Sequence, residues 1–133
     1  MNSLGGVKYF VHSDRNNTLL RILDESKQIE RFLKKKPYDI VHIHYTTPLR
    51  AFYLTAAKKA GVKTRIYHSH SAYVSGKVWI KHLVYSFMRE LIKKNGTHFF
   101  ACSKAAARWV YPKSLLNADK VKVIYNGIET SRF

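Results

Sequence analysis

The chain is short of several things, and each shortage removes a class of protein. It has one cysteine, Cys102, in 133 residues. A lone cysteine cannot close an internal disulfide, which agrees with a reducing compartment. No apolar run reaches the roughly 18 residues of a transmembrane helix, so no span is expected. The opening MNSLGGVKYF lacks the charged start, long apolar middle and small-residue cleavage site of a secretory signal, which makes the cytoplasm the expected location. There is no Gly-x-Ser-x-Gly elbow, no Walker A loop and no Gly-x-Gly-x-x-Gly, which removes hydrolase, P-loop and dinucleotide readings. Internal repeats and low-complexity tracts are absent too.

Acidic residues are also scarce. Eight Asp and Glu face twenty-four Lys and Arg, a formal charge of +16. Such a field attracts polyanions: nucleic acid, anionic lipid headgroups or phosphorylated substrates. A hydrophobic content of 46% argues against disorder, and the length suits a single domain with a real core.

What is present alternates. Residues 7–12 (VKYFVH) have the β-branched and aromatic composition of a strand. Asn16 and Asn17 offer a cap for a helix over Thr18–Lys35, with Leu19, Ile22, Leu23, Ile29 and Leu33 roughly on one face and Pro37 beyond its end. Ile40–Tyr45 reads as a second strand. Thr47 and Pro48 then start a helix with an inward stripe of Leu49, Phe52, Ala56 and Ala60, which Gly61 stops. A strand over 64–70 completes a βαβ unit, whose right-handed crossover makes its strands parallel. After a loop with Ser75 and Gly76, residues 77–94 form an amphipathic helix. Its apolar stripe is Ile80, Leu83, Val84, Phe87, Leu91 and Ile92, and its back is basic, with Lys77, Lys81, Arg89, Lys93 and Lys94. A strand over 97–102, a helix over Lys104–Val110 capped by Ser103, and a strand over 121–125 follow, ending at the turn dipeptide Asn126-Gly127. Five strands alternating with helices predict an α/β domain: a Rossmann-like, mostly parallel sheet with helices on both faces.

The chemistry concentrates between Asp39 and Tyr73. Two apolar runs each end in His-x-His, giving His42 and His44 on one strand and His68 and His70 on the next. Side chains on a strand alternate, so each pair shares a face. Both pairs lie at strand carboxyl ends, where open parallel sheets bind ligands. His42 is expected to be a buried structural residue, while His44 is left between a structural role and lining a cleft. His-x-His can place two imidazoles on one cation, but no clear carboxylate or cysteine completes the set, so no metal is expected. Ser103 is read first as a helix cap, next to a helix N-terminus that suits anions. Cys102 is read as a small apolar residue filling a strand end.

Four segments together carry a family resemblance. The closing KVKVIYNGIETSRF resembles the stretch that joins the two domains of family 4 glycosyltransferases, with Glu129 in place of the usual Asp. YDIVHIHY, KKAGVKTRIYHSHS and FFACSKAAARW precede it in the matching order. The resemblance covers most of the chain from Tyr38 onward and is to the amino-terminal domain of a polysaccharide-type member. It implies half of a GT-B fold, two Rossmann-like domains across a cleft. The implied reaction is transfer of a sugar, with retention, from a UDP- or GDP-linked nucleotide-sugar to a glycan or lipid-linked acceptor in capsule, exopolysaccharide or cell-envelope synthesis. No other cofactor is implied.

By position in the motif, His70 matches the catalytic histidine. His44, His68, Ser103, Asn126 and Gly127 are the expected substrate-binding residues. SLGGVKYF resembles the family's third strand. On this reading residues 1–125 are a partial acceptor-side domain, 126–133 begin the interdomain linker, and the donor-binding domain with its Glu-x7-Glu motif is absent. The chain alone is then expected to be inactive. The basic helix over 77–94, with Trp79 and Tyr85, suggests peripheral contact with an anionic membrane at the inner face of the plasma membrane. Two alternatives are a basic nucleic-acid-binding α/β domain and a non-catalytic interaction remnant. The first lacks a zinc finger, an RNP motif or a recognition helix, and its basic residues are scattered.

Overall fold

A computed structural model describes residues 6–71 and 79–127, with the side chains of 79–82 left aside. The loop with Ser75 and Gly76, the start of the basic helix at Lys77, the side chains of Trp79, Ile80 and Lys81, and Glu129 lie outside what is described.

Helix α1 spans Thr18–Lys35 and begins where the Asn17 side chain accepts from the backbone N–H groups of Leu19 and Leu20. Strand β1 is Ile40–Tyr45. Thr47 caps a short 3-10 turn at Pro48–Arg50 that runs into α2, Ala51–Lys59. Gly61, with φ of +83°, turns the chain out of α2 in the left-handed region that a residue with a Cβ enters only at a cost. Strand β2 is Thr64–Ser69 and α3 is Trp79–Asn95. The chain leaves α3 at Gly96, where a Cβ would stand 2.6 Å from the Phe99 ring. Strand β3 (His98–Ala101) leads to Ser103, whose side chain accepts from Ala106 N–H and starts α4, Lys104–Val110. Pro112 opens a further helix, α5 (Lys113–Asn117), which the sequence pattern did not reveal, and β4 is Val121–Val123.

The four strands form one parallel sheet in the order β1-β2-β3-β4. This is the expected parallel α/β sheet flanked by helices, with one strand fewer than expected among the described residues. Residues 7–12 do not join it. They run along α1: the Tyr9 ring lies 4.7 Å from that of Phe32, Gln28 donates to the carbonyl of His12, and Lys36 donates to the Tyr9 hydroxyl. Composition supplies a strand propensity, but a strand also needs a neighbour to pair with, and these residues pack on a helix instead.

A sheet whose order advances in one direction through right-handed crossovers places its connecting helices on one face. The packing follows that rule, so the described helices lie on one face of the sheet where both faces were expected to be covered. Ile43, Tyr67, Phe99 and Ala101 point to one face and form a single core with Ala51 and Leu54 of α2, Met88 and Ile92 of α3, Ala106, Ala107 and Val110 of α4, and Leu115 of α5. A second cluster, Leu33 with Ala57 and Val62, joins α1 to α2. Hydroxyls tie the core together: Tyr67 donates to the Thr47 carbonyl, and Tyr111 donates to the carbonyls of Tyr67 and Phe100.

Two helices bury faces other than those expected. In α2 the fully buried positions include Ala51, Leu54 and Ala57 as well as Ala56, while Leu49 and Phe52 are half-buried, because α2 is held between α1, α3 and the sheet. In α3 the buried row is Tyr85, Met88, Ile92 and Asn95, whereas Leu83, Val84 and Phe87 of the expected stripe are exposed. Tyr85 is therefore unavailable to a membrane. Nor is Arg89 a free cation of a basic back, since its guanidinium donates twice to the Trp109 carbonyl.

Candidate functional site

Alternation along the strands places His42 and His44 on the face opposite the core, and the register places His44 directly beside His68. The two His-x-His pairs therefore form one cluster. Ring centroids of His42 and His44 are 3.9 Å apart, those of His44 and His68 5.1 Å, and those of His68 and His70 4.3 Å. His44 Nδ1 and His70 Nε2 share a hydrogen bond of 2.7 Å. Phe100, beside His68 in the register, sets its ring edge-on to both His42 and His68. The ladder runs on past β2, with His70 N–H donating to the Tyr45 carbonyl, so His70 stands at the carboxyl edge of the sheet.

Burial within the cluster departs from expectation. His42, expected to be buried, is exposed, as is His44, because no described helix covers this face near them. His68 is the buried member, 8% exposed, enclosed by His42, His44, His70 and Phe100. Among the described residues neither of its ring nitrogens has a hydrogen-bond partner.

Burial is the first cause of its depressed pKa and the neighbouring imidazoles, His70 first, the second; together they push it down to about 4. His42 and His44 are lowered by the same causes in the same order, burial and then the adjacent rings. At neutral pH these three rings are uncharged; the exposed His42 ring and the His44 Nε2 face outward, where sugar hydroxyls could pair with them, while His68 is buried behind them.

The other expected site residues lie on the neighbouring strand ends. Ser103 follows β3 at the same carboxyl edge, and its hydroxyl oxygen accepts from Ala106 N–H to cap α4. Asn126 and Gly127 are exposed in the segment after β4, on the same edge of the sheet but two strands from β2. Two things escaped sequence reasoning. Phe100, edge-on to His42 and His68, was visible only as one apolar residue among others. An open apolar groove of about 720 Å³ between α1, α2 and α3, walled by Leu19, Leu23, Phe52, Leu83, Val84 and Phe87, was concealed by assigning those residues to the core. Excess apolar residues on more than one side of α3 were the available signal.

A parallel α/β sheet with polar groups gathered at its carboxyl edge is the arrangement of a ligand-binding Rossmann-like domain. The sequence profile of Glycosyltransferase Family 4 matches residues 5–132. A protein of Bacillus subtilis (strain 168) named "Putative glycosyltransferase EpsF" is 31% identical over 133 residues, covering 98% of this chain and 34% of its own length. The chain belongs to glycosyltransferase family 4. It spans about a third of the length of that relative. No solved structure matches.

Proposed function

We propose that this chain forms the acceptor-side part of a retaining glycosyltransferase that moves a sugar from a UDP- or GDP-linked donor to a glycan or lipid-linked acceptor in cell-envelope, capsule or exopolysaccharide synthesis. The observation that carries the reading is the histidine cluster at the carboxyl edge of β1 and β2, with His70 held at its outer end by His44. His70 is the residue that reaches the reacting sugar, positioned by that hydrogen bond. Its second ring nitrogen is left to hydrogen-bond a hydroxyl of the sugar. His68 packs behind it, with ring centroids 4.3 Å apart, and His44 stacks on it.

The apolar groove beside α3 suits the lipid portion of an acceptor or the surface layer of an anionic membrane, toward which the charge of +16 draws the chain. Donor contacts in this reading come mainly from a second domain. The chain by itself is then expected to bind acceptor and to catalyse no transfer.

The test is a side-chain NMR titration of the histidine ring protons. A short alkyl glycoside is expected to shift the resonances of His44 and His70, and UDP-glucose to leave them in place. His70→Ala is expected to abolish the response. Unmoved His44 and His70 signals at saturating glycoside, or robust sugar transfer by the chain alone, would reject the assignment.

A further inference from the structure

We propose that His42, His44 and His68 form a three-imidazole site for a borderline transition-metal cation of the Zn2+ or Ni2+ kind, with His70 as the residue that positions His44. This inference does not depend on the transferase reading. One ring nitrogen from each of the three histidines lies within 4.8 Å of the others. Around one tetrahedral zinc, with Zn–N of about 2.0–2.1 Å, ligand nitrogens stand about 3.4 Å apart. On this proposal the exposed His42 and His44 rings turn toward His68 to close the gap, on two strands that stay paired.

The second observation concerns His68. It is more than nine-tenths buried, and both of its ring nitrogens lack a hydrogen-bond partner among the described residues. Buried polar atoms are paired in the great majority of cases, so an orphaned imidazole facing two others calls for a ligand. An ordinary core histidine would instead have a carbonyl or hydroxyl within reach.

A third feature matches the chemistry of metal-bound imidazole. A ligating histidine uses one nitrogen for the metal and the other for a hydrogen bond that fixes ring and tautomer. His44 has its Nδ1 engaged with His70 Nε2, leaving its own Nε2 for the cation. The sequence argument against a metal was the missing third ligand beside His-x-His. The register supplies it from the next strand, where His68 stands beside His44. Neither carboxylate nor thiolate belongs to the group, and an all-imidazole set favours zinc, nickel or copper over magnesium or calcium. Three protein ligands leave a coordination position open to water or an anion.

The test uses the untagged chain after EDTA treatment, titrated with Zn2+ by calorimetry and with Co2+ by visible absorption. A single saturable site with the d–d bands of nitrogen-ligated Co2+ is the expected result. His44→Thr and His42→Thr, both at exposed positions that leave the core untouched, are expected to abolish it, as is His68→Phe. His70→Ala is expected to weaken binding about 10- to 100-fold, the usual effect of losing an outer partner. His70→Gln, which retains an acceptor for His44, is expected to restore most of that loss. His12→Gln and His98→Gln are expected to change nothing. Absence of saturable binding, binding that survives His42→Thr and His44→Thr together, or binding that follows His12 or His98 would overturn the proposal. Should His68→Phe fail to fold, the two exposed variants decide the matter alone.

Discussion

Replacing His68 by phenylalanine is expected to stabilise the metal-free chain, and by more in mild acid than at neutral pH. The neutral-pH gain follows from its surroundings. His68 is buried with two unpartnered ring nitrogens, and leaving a buried polar group unpaired costs about 1–3 kcal/mol. Phenylalanine has a similar outline, keeps the edge contact with Phe100 and carries no group to desolvate.

The acid component follows from linkage. The folded-state pKa of His68 lies at about 4, below the ordinary histidine value of 6.5. Above pH 6.5 the ring is neutral in both folded and unfolded chains and contributes no pH dependence. As pH falls below 6.5 the unfolded chain takes up the proton first, so stability is lost, and the loss is complete near pH 4. At pH 5.5 the shift corresponds to about 1 kcal/mol, tempered by solvent over the neighbouring exposed His42 and His44. Urea unfolding with EDTA at pH 7.5 and 5.5 reads both components. His68→Phe is expected to raise the midpoint at each pH and to lose less stability between them than the parent. Equal losses in the two proteins would refute the argument that His68 is held neutral by its surroundings, and a lower midpoint at pH 7.5 would refute its being unsatisfied.

Two further outcomes follow from the packing. Glu25 and Arg50 pair with both side chains largely buried, and the Tyr53 hydroxyl bonds to each, so Glu25→Ala is expected to cost about 3 kcal/mol in urea unfolding and Glu25→Gln less; a cost below about 1 kcal/mol would mean the pair behaves as an exposed one. On α3, Leu83 and Phe87 are exposed beside the apolar groove, so Leu83→Ser with Phe87→Ser is expected to reduce co-sedimentation with vesicles of anionic lipid without lowering stability, and unchanged binding would remove the groove from membrane contact.

Much of the local structure was legible in the sequence because its causes are local. Asn17, Thr47 and Ser103 cap helices through their own side chains, and Gly61 ends α2 through its own backbone angle. Strand β1 and helix α4 have the bounds read from the pattern. Helix α5 was not visible, since five residues after a proline leave too short a window for a helical period to register.

The sequence by itself therefore determined the alternation of strands and helices, the parallel sheet, the family, and the sharing of a face within each His-x-His pair. Each follows from residue type and short-range spacing. Tertiary structure decided how the two pairs meet, because the register that sets His44 beside His68 is a contact between residues far apart in the chain. It decided that residues 7–12 lie on α1, and it decided which side of α3 is buried. The apolar residues of α3 fit two helical rows equally well, and docking against α2 and the Arg89 bonds to the Trp109 carbonyl selected Tyr85, Met88 and Ile92. Above all it decided that His68 is buried and His42 exposed, since burial depends on which elements pack over a strand, and that is a property of the assembled sheet.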